Sequence, residues 1–340
     1  MKISVILPVK NPDIELLERA LKSVGSQTYT DYEVLLVNDG SDPEYKEELL
    51  GLAGRFQNVK LFEIPVSGVS AARNFAADKA EGDILTYLDS DDMLSPYCFE
   101  EAVSILEKTD LDAVWGGTFY GNSDQIAERL QNIEHKDSEL INLDEERMHI
   151  TKAECIGEPY RYDDGCYINR GIAGRFIRKE AAERAGLSFP EGLKFYEDAI
   201  WNLRALQSIE IAYAHTEWYY YLDNEASVSN KFNPDIADDL ERPLAVIRGM
   251  LDMDDETEYK GYTRLLMDSL RYVNRNLYAN PLWNATGADK KKLRDHLYND
   301  EPWSEIGTDK YKEYAEERDR RKAALYRAKK LLFYWKLAWK

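Results

Sequence analysis

The chain has 340 residues, of which 44% are hydrophobic and 31% charged, as in a globular protein with a large core and a length that suits two domains. The last 21 residues hold eight Lys/Arg and no Asp/Glu, so the preceding 319 carry 36 basic and 63 acidic residues and a net charge of −27. A body this acidic repels phosphate backbones, which argues against a nucleic-acid partner.

Strand-like and helix-like segments alternate over the first 120 residues. Short apolar runs predict four strands, at Ile3–Val9, Glu33–Val37, Val59–Ile64 and Ile84–Leu88. Between them, apolar residues recur at helical spacing over Ile14–Val24, 43–53 and 69–80. This alternation, with nearly continuous apolar strands, predicts an α/β fold with a parallel sheet covered by helices on both faces. Ligands of such sheets bind beyond the carboxyl ends of the strands.

The remaining chain divides into three stretches. Residues 122–165 have weak periodicity, and we interpret them as an insertion with some helix. Compact patterning returns over 166–222, with a strand near 172–178, a helix from about Glu197, and strands at Ile209–Ala214 and Trp218–Leu222. After Pro234 the pattern is helical, in segments near 235–252, 257–278, 288–298 and 309–338. The predicted domains are an α/β domain over 1–228, with halves 1–120 and 121–228, and a smaller all-helical region over 229–340.

Three carboxylates follow the fourth predicted strand. The segment Asp89-Ser90-Asp91-Asp92 places them at a strand-to-loop corner, where two of them can converge on one cation. Carboxylate oxygens without a neighbouring Cys or His cluster suit Mg²⁺ or Mn²⁺. Taken alone, the segment is equally consistent with an acidic turn before the next helix.

Further motifs stand in a fixed order around these acids. They are an opening strand that runs into PVKN, the block QTYTDYEVLLVNDGSD, then GVSAARN, YLDSDD, and later FYEDAIW. In this order and spacing the chain resembles the family 2 glycosyltransferases over residues 1–225. The resemblance implies the GT-A fold, a Rossmann-like, mostly parallel sheet, here followed by the helical region.

The resemblance also implies roles for individual residues. Asp39 matches the acid that accepts a hydrogen bond from a uracil-type base, and Arg73 matches an arginine of the nucleotide pocket. Pro8 and Val9 match the wall against which the base stacks. Asp89 and Asp91 match the DxD motif, with Asp89 near the ribose and the metal and Asp91 a metal ligand.

Asp198 matches the catalytic base of the inverting members. A base and a separate metal-binding pair suit a single displacement with inversion, because a double displacement needs a further carboxylate at the anomeric carbon. The alternative interpretation of Glu197 and Asp198 is a favourable pair of charges at a helix N-terminus.

Some features depart from the family pattern or are weaker. Asn38 stands where the family usually has an aspartate. Leu222 stands where it usually has an arginine, for which Lys231 is a candidate substitute. His215 is a candidate third metal ligand, although a lone histidine at a strand end is more often structural. No glycine-rich loop follows the first strand, which argues against a sugar-1-phosphate nucleotidyltransferase.

Aromatic residues are numerous between the DxD and ED motifs, where sugar rings could stack on them. Trp115 and Trp201, together with Glu197, are the candidate acceptor contacts. Ordinary core packing is the alternative for each tryptophan.

The expected activity is inverting, metal-dependent glycosyl transfer in bacterial surface polysaccharide synthesis. The donor is a nucleotide-diphosphate sugar, most simply UDP-linked, and the acceptor a glycan, teichoic acid or lipid-linked saccharide. Alternatives are a catalytically silent nucleotide- or glycan-binding module, and a scaffold that forms homo-oligomers through its helical region.

Location follows from three absences in the sequence. The cysteines Cys98, Cys155 and Cys166 form no CxxC pair, no apolar leader follows Lys2, and no run of 18 apolar residues occurs. We therefore expect a cytoplasmic protein without a membrane span. The basic, aromatic segment 320–340 has helical spacing, which suits either peripheral contact with the inner face of the membrane or packing on protein.

Overall fold

The computed structural model describes most of the chain. The described residues are 1–133, 135, 138–143, 145–157, 171–223, 232–277, 280, 282–315 and 317–327. Several predicted features lie outside them: Cys166, Lys231, the proposed boundary at 228–229, and residues 328–340 of the basic segment.

The described strands form one sheet in the order β3-β2-β1-β4-β8-β6-β9-β5, with β7 paired to β9. They are β1 (Ile3–Val9), β2 (Tyr32–Asp39), β3 (Val59–Ile64), β4 (Ile84–Tyr87), β5 (Met93–Leu94), β6 (Ala113–Gly121), β7 (Leu140–Asn142), β8 (Arg175–Arg178) and β9 (Ile211–Leu222). Strands β1 to β4 are mutually parallel, as are β6 and β9, whereas β8, β5 and β7 pair antiparallel to their neighbours. The predicted mostly parallel α/β sheet is confirmed.

Helices follow most of the strands. The described α-helices are α1 (Ile14–Gly25), α2 (Tyr45–Ala53), α3 (Val69–Lys79), α4 (Cys98–Lys108), α5 (Ser123–Gln131), α6 (Glu145–Ile156), α7 (Lys179–Ala185), α8 (Glu197–Ser208), α9 (Ile236–Met250), α10 (Glu256–Asn276), α11 (Gly287–Asn299), α12 (Asp309–Tyr314) and α13 (Glu317–Arg327). A 3₁₀ helix spans Trp303–Gly307. The four-strand, three-helix pattern predicted for the first 90 residues is therefore correct to within two residues at each end.

Burial explains why the first strands read as continuous apolar runs. Every residue of β1 is buried, and so is every residue of β2 except Tyr32. Both faces of these central strands are therefore covered, as in a sheet enclosed by helices. Helix α1 starts where Asp13 accepts hydrogen bonds from the backbone N–H groups of Glu15 and Leu16, which caps its first turn.

Four strands differ from the sequence prediction, and two of them, β5 and β7, are short strands that it did not contain. Strand β6 was not predicted, and the two strands predicted within 209–222 are one continuous strand, β9. β9 pairs with β6 along its whole length, and the register shifts around Gly116 and Gly117. The irregularity at that point interrupts the apolar alternation in both strands, which is why the sequence pattern divides β9 in two.

The chain divides into two compact units. The first unit comprises Met1–Met148, Pro159–Gly192 and Glu197–Glu225, and contains the sheet. The second comprises His149–Glu158, Leu193–Tyr196 and Ala226–Lys340. Its described part is helical, and its core includes Tyr262, Leu266 and Trp303, each fully buried. None of the described helices is long and apolar enough to cross a membrane.

Candidate active site

The carboxyl ends of β1 and β2 hold three of the predicted nucleotide-binding residues. Pro8 and Val9 end β1, and both are buried, with Val9 packed in the main hydrophobic core. Asp39 is the last residue of β2 and is 3% exposed. These residues lie at one edge of the sheet, because β1 and β2 run parallel with Val9 beside Asn38.

The Asp39 carboxylate holds the loop after β3. Its two oxygens accept hydrogen bonds from the backbone N–H of Ser67 at 2.6 Å and of Gly68 at 2.9 Å. The next residue, Gly40, has a φ of 64°, and a Cβ there would lie 2.5 Å from the Val66 side chain. Glycine is therefore required at this turn. A carboxylate has about four acceptor positions, so Asp39 retains capacity for a further donor.

The acidic corner after β4 is attached to β9. The Tyr219 hydroxyl donates to Asp92 Oδ2 at 2.7 Å and accepts from the Asp89 backbone N–H at 3.1 Å. The Leu222 backbone N–H donates to Asp92 Oδ1 at 2.9 Å. Asp92 is 1% exposed. Burial raises the pKa of its carboxyl well above the ordinary value, and the neighbouring acids Asp89 and Asp91 add to this rise. Asp92 thus has a structural role, whereas Asp89 and Asp91 remain partly exposed.

Arg73 of α3 joins this corner to α8. Its Nη2 donates to Asp89 Oδ1 at 2.9 Å, its Nη1 donates to Asp198 Oδ1 at 2.5 Å, and Nη1 also lies 3.5 Å from Glu197 Oε1. The arginine side chain is only 3% exposed. Its guanidinium carbon lies 5.0 Å from the centre of the Phe189 ring. Segments far apart in sequence therefore meet on one buried cation.

Asp198 is the second residue of α8, and its side chain is 23% exposed. Burial raises the pKa of its carboxyl from 3.8 to about 7. The charge of Arg73 opposes this rise, while Glu197 and Asp89 add to it. A carboxylate with a pKa near neutrality can accept a proton from a hydroxyl group more effectively than an ordinary aspartate.

The carboxylates around Arg73 outnumber the one cation described among them. Asp89, Glu197 and Asp198 share one guanidinium, and Asp91 lies two residues after Asp89 in sequence. Asp89 is 40% exposed and offers hard oxygen ligands, which Mg²⁺ and Mn²⁺ prefer.

His215 does not join this group. It lies on β9, four residues before Tyr219, and its backbone N–H donates to the Glu139 carbonyl. Among the described residues, the histidines whose ring nitrogen lies close to two carboxylates are His149 and His296. The structure therefore does not bring His215 to Asp89 and Asp91 as the sequence prediction required.

The two predicted acceptor tryptophans are core residues. Trp115 is fully buried in β6 under the Arg175 guanidinium, at 4.1 Å from its ring centre. Trp201 is 1% exposed and stacks on Phe189 with 5.5 Å between ring centres. Neither presents a ring face to an acceptor, because both rings are enclosed by protein. Glu197, the third predicted contact, is partly exposed beside Arg73.

Two contributors to the site were not predicted. Tyr219 orients the acidic corner, and Phe189 packs under Arg73. The run of tyrosines in β9 is a signal for the first, since alternate residues of a strand share a face. The sequence around Phe189 carries no such signal.

Comparison with known proteins identifies related chains. The family model described as glycosyl transferase family 2 matches residues 4–173, half of the chain. An uncharacterized glycosyltransferase of Bacillus subtilis, EpsJ, is 27% identical over 229 residues, which is 67% of this chain and 62% of that protein. The succinoglycan biosynthesis protein ExoW of Rhizobium meliloti is 32% identical over 125 residues, 36% of this chain and 39% of that protein. The chain thus spans less than two thirds of the length of these relatives.

A solved structure shares the fold. The crystal structure of residues 1–349 of S. aureus TarS in complex with UDP-GlcNAc superposes with a TM-score of 0.60. The alignment covers 99% of this chain and 90% of that one, at 19% sequence identity.

Proposed function

The chain belongs to glycosyl transferase family 2, and from this premise we propose that it moves a sugar from a UDP-sugar to an acceptor hydroxyl. The observation that carries the proposal is the buried Arg73, which joins Asp89 at the end of β4 to Asp198 at the start of α8. A proton acceptor thereby stands beside the acidic corner that we propose to hold the cation of a donor diphosphate. The UDP-GlcNAc bound by TarS, a protein of the same fold, supports a UDP-linked donor.

The proposed reaction is a single displacement with inversion. Asp198 takes the proton of the acceptor hydroxyl, the oxygen forms a bond to the anomeric carbon, and the bond from that carbon to the diphosphate breaks. The released nucleoside diphosphate carries away the electron pair. The pKa of about 7 supports this role, because near neutrality Asp198 is partly ionised and still basic enough to accept a proton.

We propose that Asp89 and Asp91 hold a Mg²⁺ or Mn²⁺ ion when the donor binds. Such an ion neutralises charge that develops on the leaving diphosphate. The excess of carboxylates over cations around Arg73 supports this assignment, because an unneutralised diphosphate at this corner would be repelled. Asp39, Pro8 and Val9 are the proposed neighbours of the base, at the adjacent strand ends.

The proposed acceptor is a glycan, teichoic acid or lipid-linked saccharide of the bacterial surface. The naming of ExoW as a succinoglycan biosynthesis protein supports a polysaccharide. A lipid-linked acceptor suits a cytoplasmic enzyme that contacts the inner face of the membrane through its basic C-terminal segment. A homo-oligomer is compatible with this function.

A donor screen tests the proposal. Thermal melting is measured with UDP-, GDP- and dTDP-sugars, each with Mn²⁺ or with EDTA, because a ligand that binds only the folded protein raises the melting temperature. We expect stabilisation by a UDP-sugar with Mn²⁺, and sugar transfer with that donor that EDTA abolishes. Full activity in EDTA would remove the metal from the mechanism. Stabilisation by a donor without transfer to any saccharide would instead support a silent binding module.

A further inference from the structure

The guanidinium of Arg73 donates a hydrogen bond to the candidate base. Among its described contacts, both terminal nitrogens donate to carboxylates, Nη1 to Asp198 and Nη2 to Asp89. The resemblance to the family implies a nucleotide contact for this arginine. The observed contacts imply another role, which rests on the proposed function of Asp198.

We propose that Arg73 is a positioning residue, which fixes the carboxylate of Asp198 and couples it to the donor-side carboxylate of Asp89. A planar guanidinium can do this because its donors diverge in a rigid fork. Nη1 donates to Asp198 of α8, and Nη2 donates to Asp89 at the corner after β4. The base and the donor side are thus held at a fixed separation through one group.

The packing around Arg73 restrains its plane. The Phe189 ring lies under the guanidinium and stacks on Trp201 of α8, the helix that carries Asp198. Asn74, the next residue of α3, pairs with the Phe189 backbone through both its side-chain groups, at 2.8 and 3.0 Å. Arg73 and α8 therefore contact the same ring, and that ring is fixed to α3. Rigid support of this kind keeps a reacting group within a productive geometry.

The positive charge of Arg73 also affects the ionisation of Asp198. The Arg73 cation is the described counter-charge to Asp89, Glu197 and Asp198, each within 3.5 Å of it. Buried charges interact strongly, since little water screens them. A neutral side chain at this position would leave the three carboxylates to repel one another. The carboxyl of Asp198 would then hold its proton to a higher pH.

Double substitution tests the coupling. The variants are Arg73→Lys, which keeps the charge but cannot serve both carboxylates, Asp198→Asn, and the two combined. We expect Arg73→Lys to lower kcat roughly 10- to 100-fold and to leave the Kd of UDP with Mn²⁺ within about threefold. The double variant should be no slower than Asp198→Asn alone, because residues that act as a unit are not additive. Multiplicative losses, or a loss of UDP affinity that matches the loss of kcat/KM, would overturn the proposal.

A titration without turnover provides the second readout. In protein labelled with ¹³C-aspartate, the Asp198 carboxyl resonance is assigned from its disappearance in Asp198→Asn. We expect Arg73→Gln to raise the pKa of this carboxyl and Arg73→Lys to move it less, since lysine keeps the charge. An unchanged Asp198 pKa in Arg73→Gln would contradict the coupling, whether or not the protein transfers sugar. Absence of sugar transfer by the unaltered protein would instead contradict the proposed function.

Two further variants separate positioning from folding. Arg178→Lys is the matched control, because the Arg178 guanidinium bonds backbone carbonyls such as that of Leu111 and touches no carboxylate of the site. It should lose stability without a selective loss of kcat. Phe189→Leu removes the ring under Arg73 while Arg73 keeps its charge, and should lower kcat severalfold at unchanged UDP affinity. Full kcat in a folded Phe189→Leu variant, together with full kcat in Arg73→Lys, contradicts the proposal.

Discussion

In the proposed reaction, the protonation state of the Asp198 carboxyl controls the pH dependence of turnover. Burial raises its pKa to about 7, so the carboxyl gains a proton as the pH falls below neutrality. A protonated carboxyl cannot accept the hydroxyl proton. We therefore predict that kcat/KM falls about tenfold per pH unit on the acidic side of this pKa.

Asp198→Asn tests the same carboxyl directly. The substitution keeps size and shape but removes the proton acceptor, so turnover should fall roughly 10²–10⁴-fold while UDP binding is largely kept. The matched control is Asp78→Asn, an exposed aspartate of α3. Near-normal turnover in Asp198→Asn, measured as UDP release, would exclude Asp198 as the base.

Individual site residues could be predicted from the sequence only as far as motifs reach. Asp89, Arg73 and Asp198 each stand in a motif, and the structure brings all three together. Their mutual contacts could not be predicted, because Arg73 and Asp198 are 125 residues apart. The prediction that two tryptophans contact the acceptor was wrong for another reason. The residue type alone cannot distinguish a ring that stacks on a sugar from one that fills the core, and Trp115 and Trp201 fill the core.

Among the secondary-structure elements, β6 is one that the pattern of apolar residues does not predict. Its sequence AVWGGTFYG contains two adjacent glycines, which ordinarily weaken a strand. The structure explains Gly116, because a Cβ there would lie 2.4 Å from the Trp218 ring of β9. The glycine thus lets a large buried side chain cross the strand. That tertiary reason is invisible in the local pattern, whereas β1 and β2 are predictable because both of their faces are buried.

Gly116→Ala should therefore destabilise the first unit. Trp218 is fully buried and its indole N–H donates to Glu101 at 2.8 Å, so the ring cannot move aside without losing that bond. We expect a loss of about 1–3 kcal/mol in the free energy of unfolding, measured by urea denaturation. Gly249→Ala in α9 is the control, since nothing lies within 4 Å of its Cβ, and helix propensity favours alanine by about 1 kcal/mol. Equal effects of the two substitutions would contradict the packing argument.

His296 connects two helices of the second unit. Its Nε2 lies 2.5 Å from Glu241 of α9, and its Nδ1 lies 2.7 Å from Asp300, just after α11. Burial alone would lower the pKa of His296, but the hydrogen bonds and charges of Asp300 and Glu241 raise it above 6.5. Asp238 is a third carboxylate in this cluster. The imidazolium form, which donates from both nitrogens, is the form that this arrangement stabilises.

The stability of this unit should consequently depend on pH. A pKa that is raised in the folded state contributes stability fully below the unfolded value of 6.5, and this contribution is lost as the pH rises through the folded value. His296→Gln should thus be less stable than the unaltered protein in mildly acidic buffer, and the difference should shrink in alkaline buffer. Urea midpoints measure it, with Lys292→Gln, an exposed cation of α11, as control. A difference that is independent of pH would show that the charge of His296 plays no part.

At the scale of the whole molecule, the basic C-terminal segment divides into two parts. Residues 320–327 belong to α13, where Ala323 and Tyr326 are buried and Tyr326 packs on Tyr298. Asp319, directly before them, bonds Arg271 of α10 at 2.9 Å. This part packs on its own unit, as one of the two sequence interpretations required. Residues 328–340, which hold four lysines and no acid, are the part for which membrane contact stays a proposal.

Removal of residues 328–340 isolates that proposal, because a chain that ends at Arg327 keeps all of α13. Each lysine near an anionic surface contributes about 1 kcal/mol, so four suffice for reversible attachment despite the acidic body. We predict that the full chain sediments with vesicles containing phosphatidylglycerol but not with neutral vesicles, and that salt or the truncation abolishes binding. The alternative is that residues 328–340 hold the subunits of a homo-oligomer together, and gel filtration of both chains tests it. If the truncated chain forms a smaller assembly and neither chain binds vesicles, the segment makes a subunit contact. If the full chain stays in the supernatant at low salt, the proposed membrane contact is wrong.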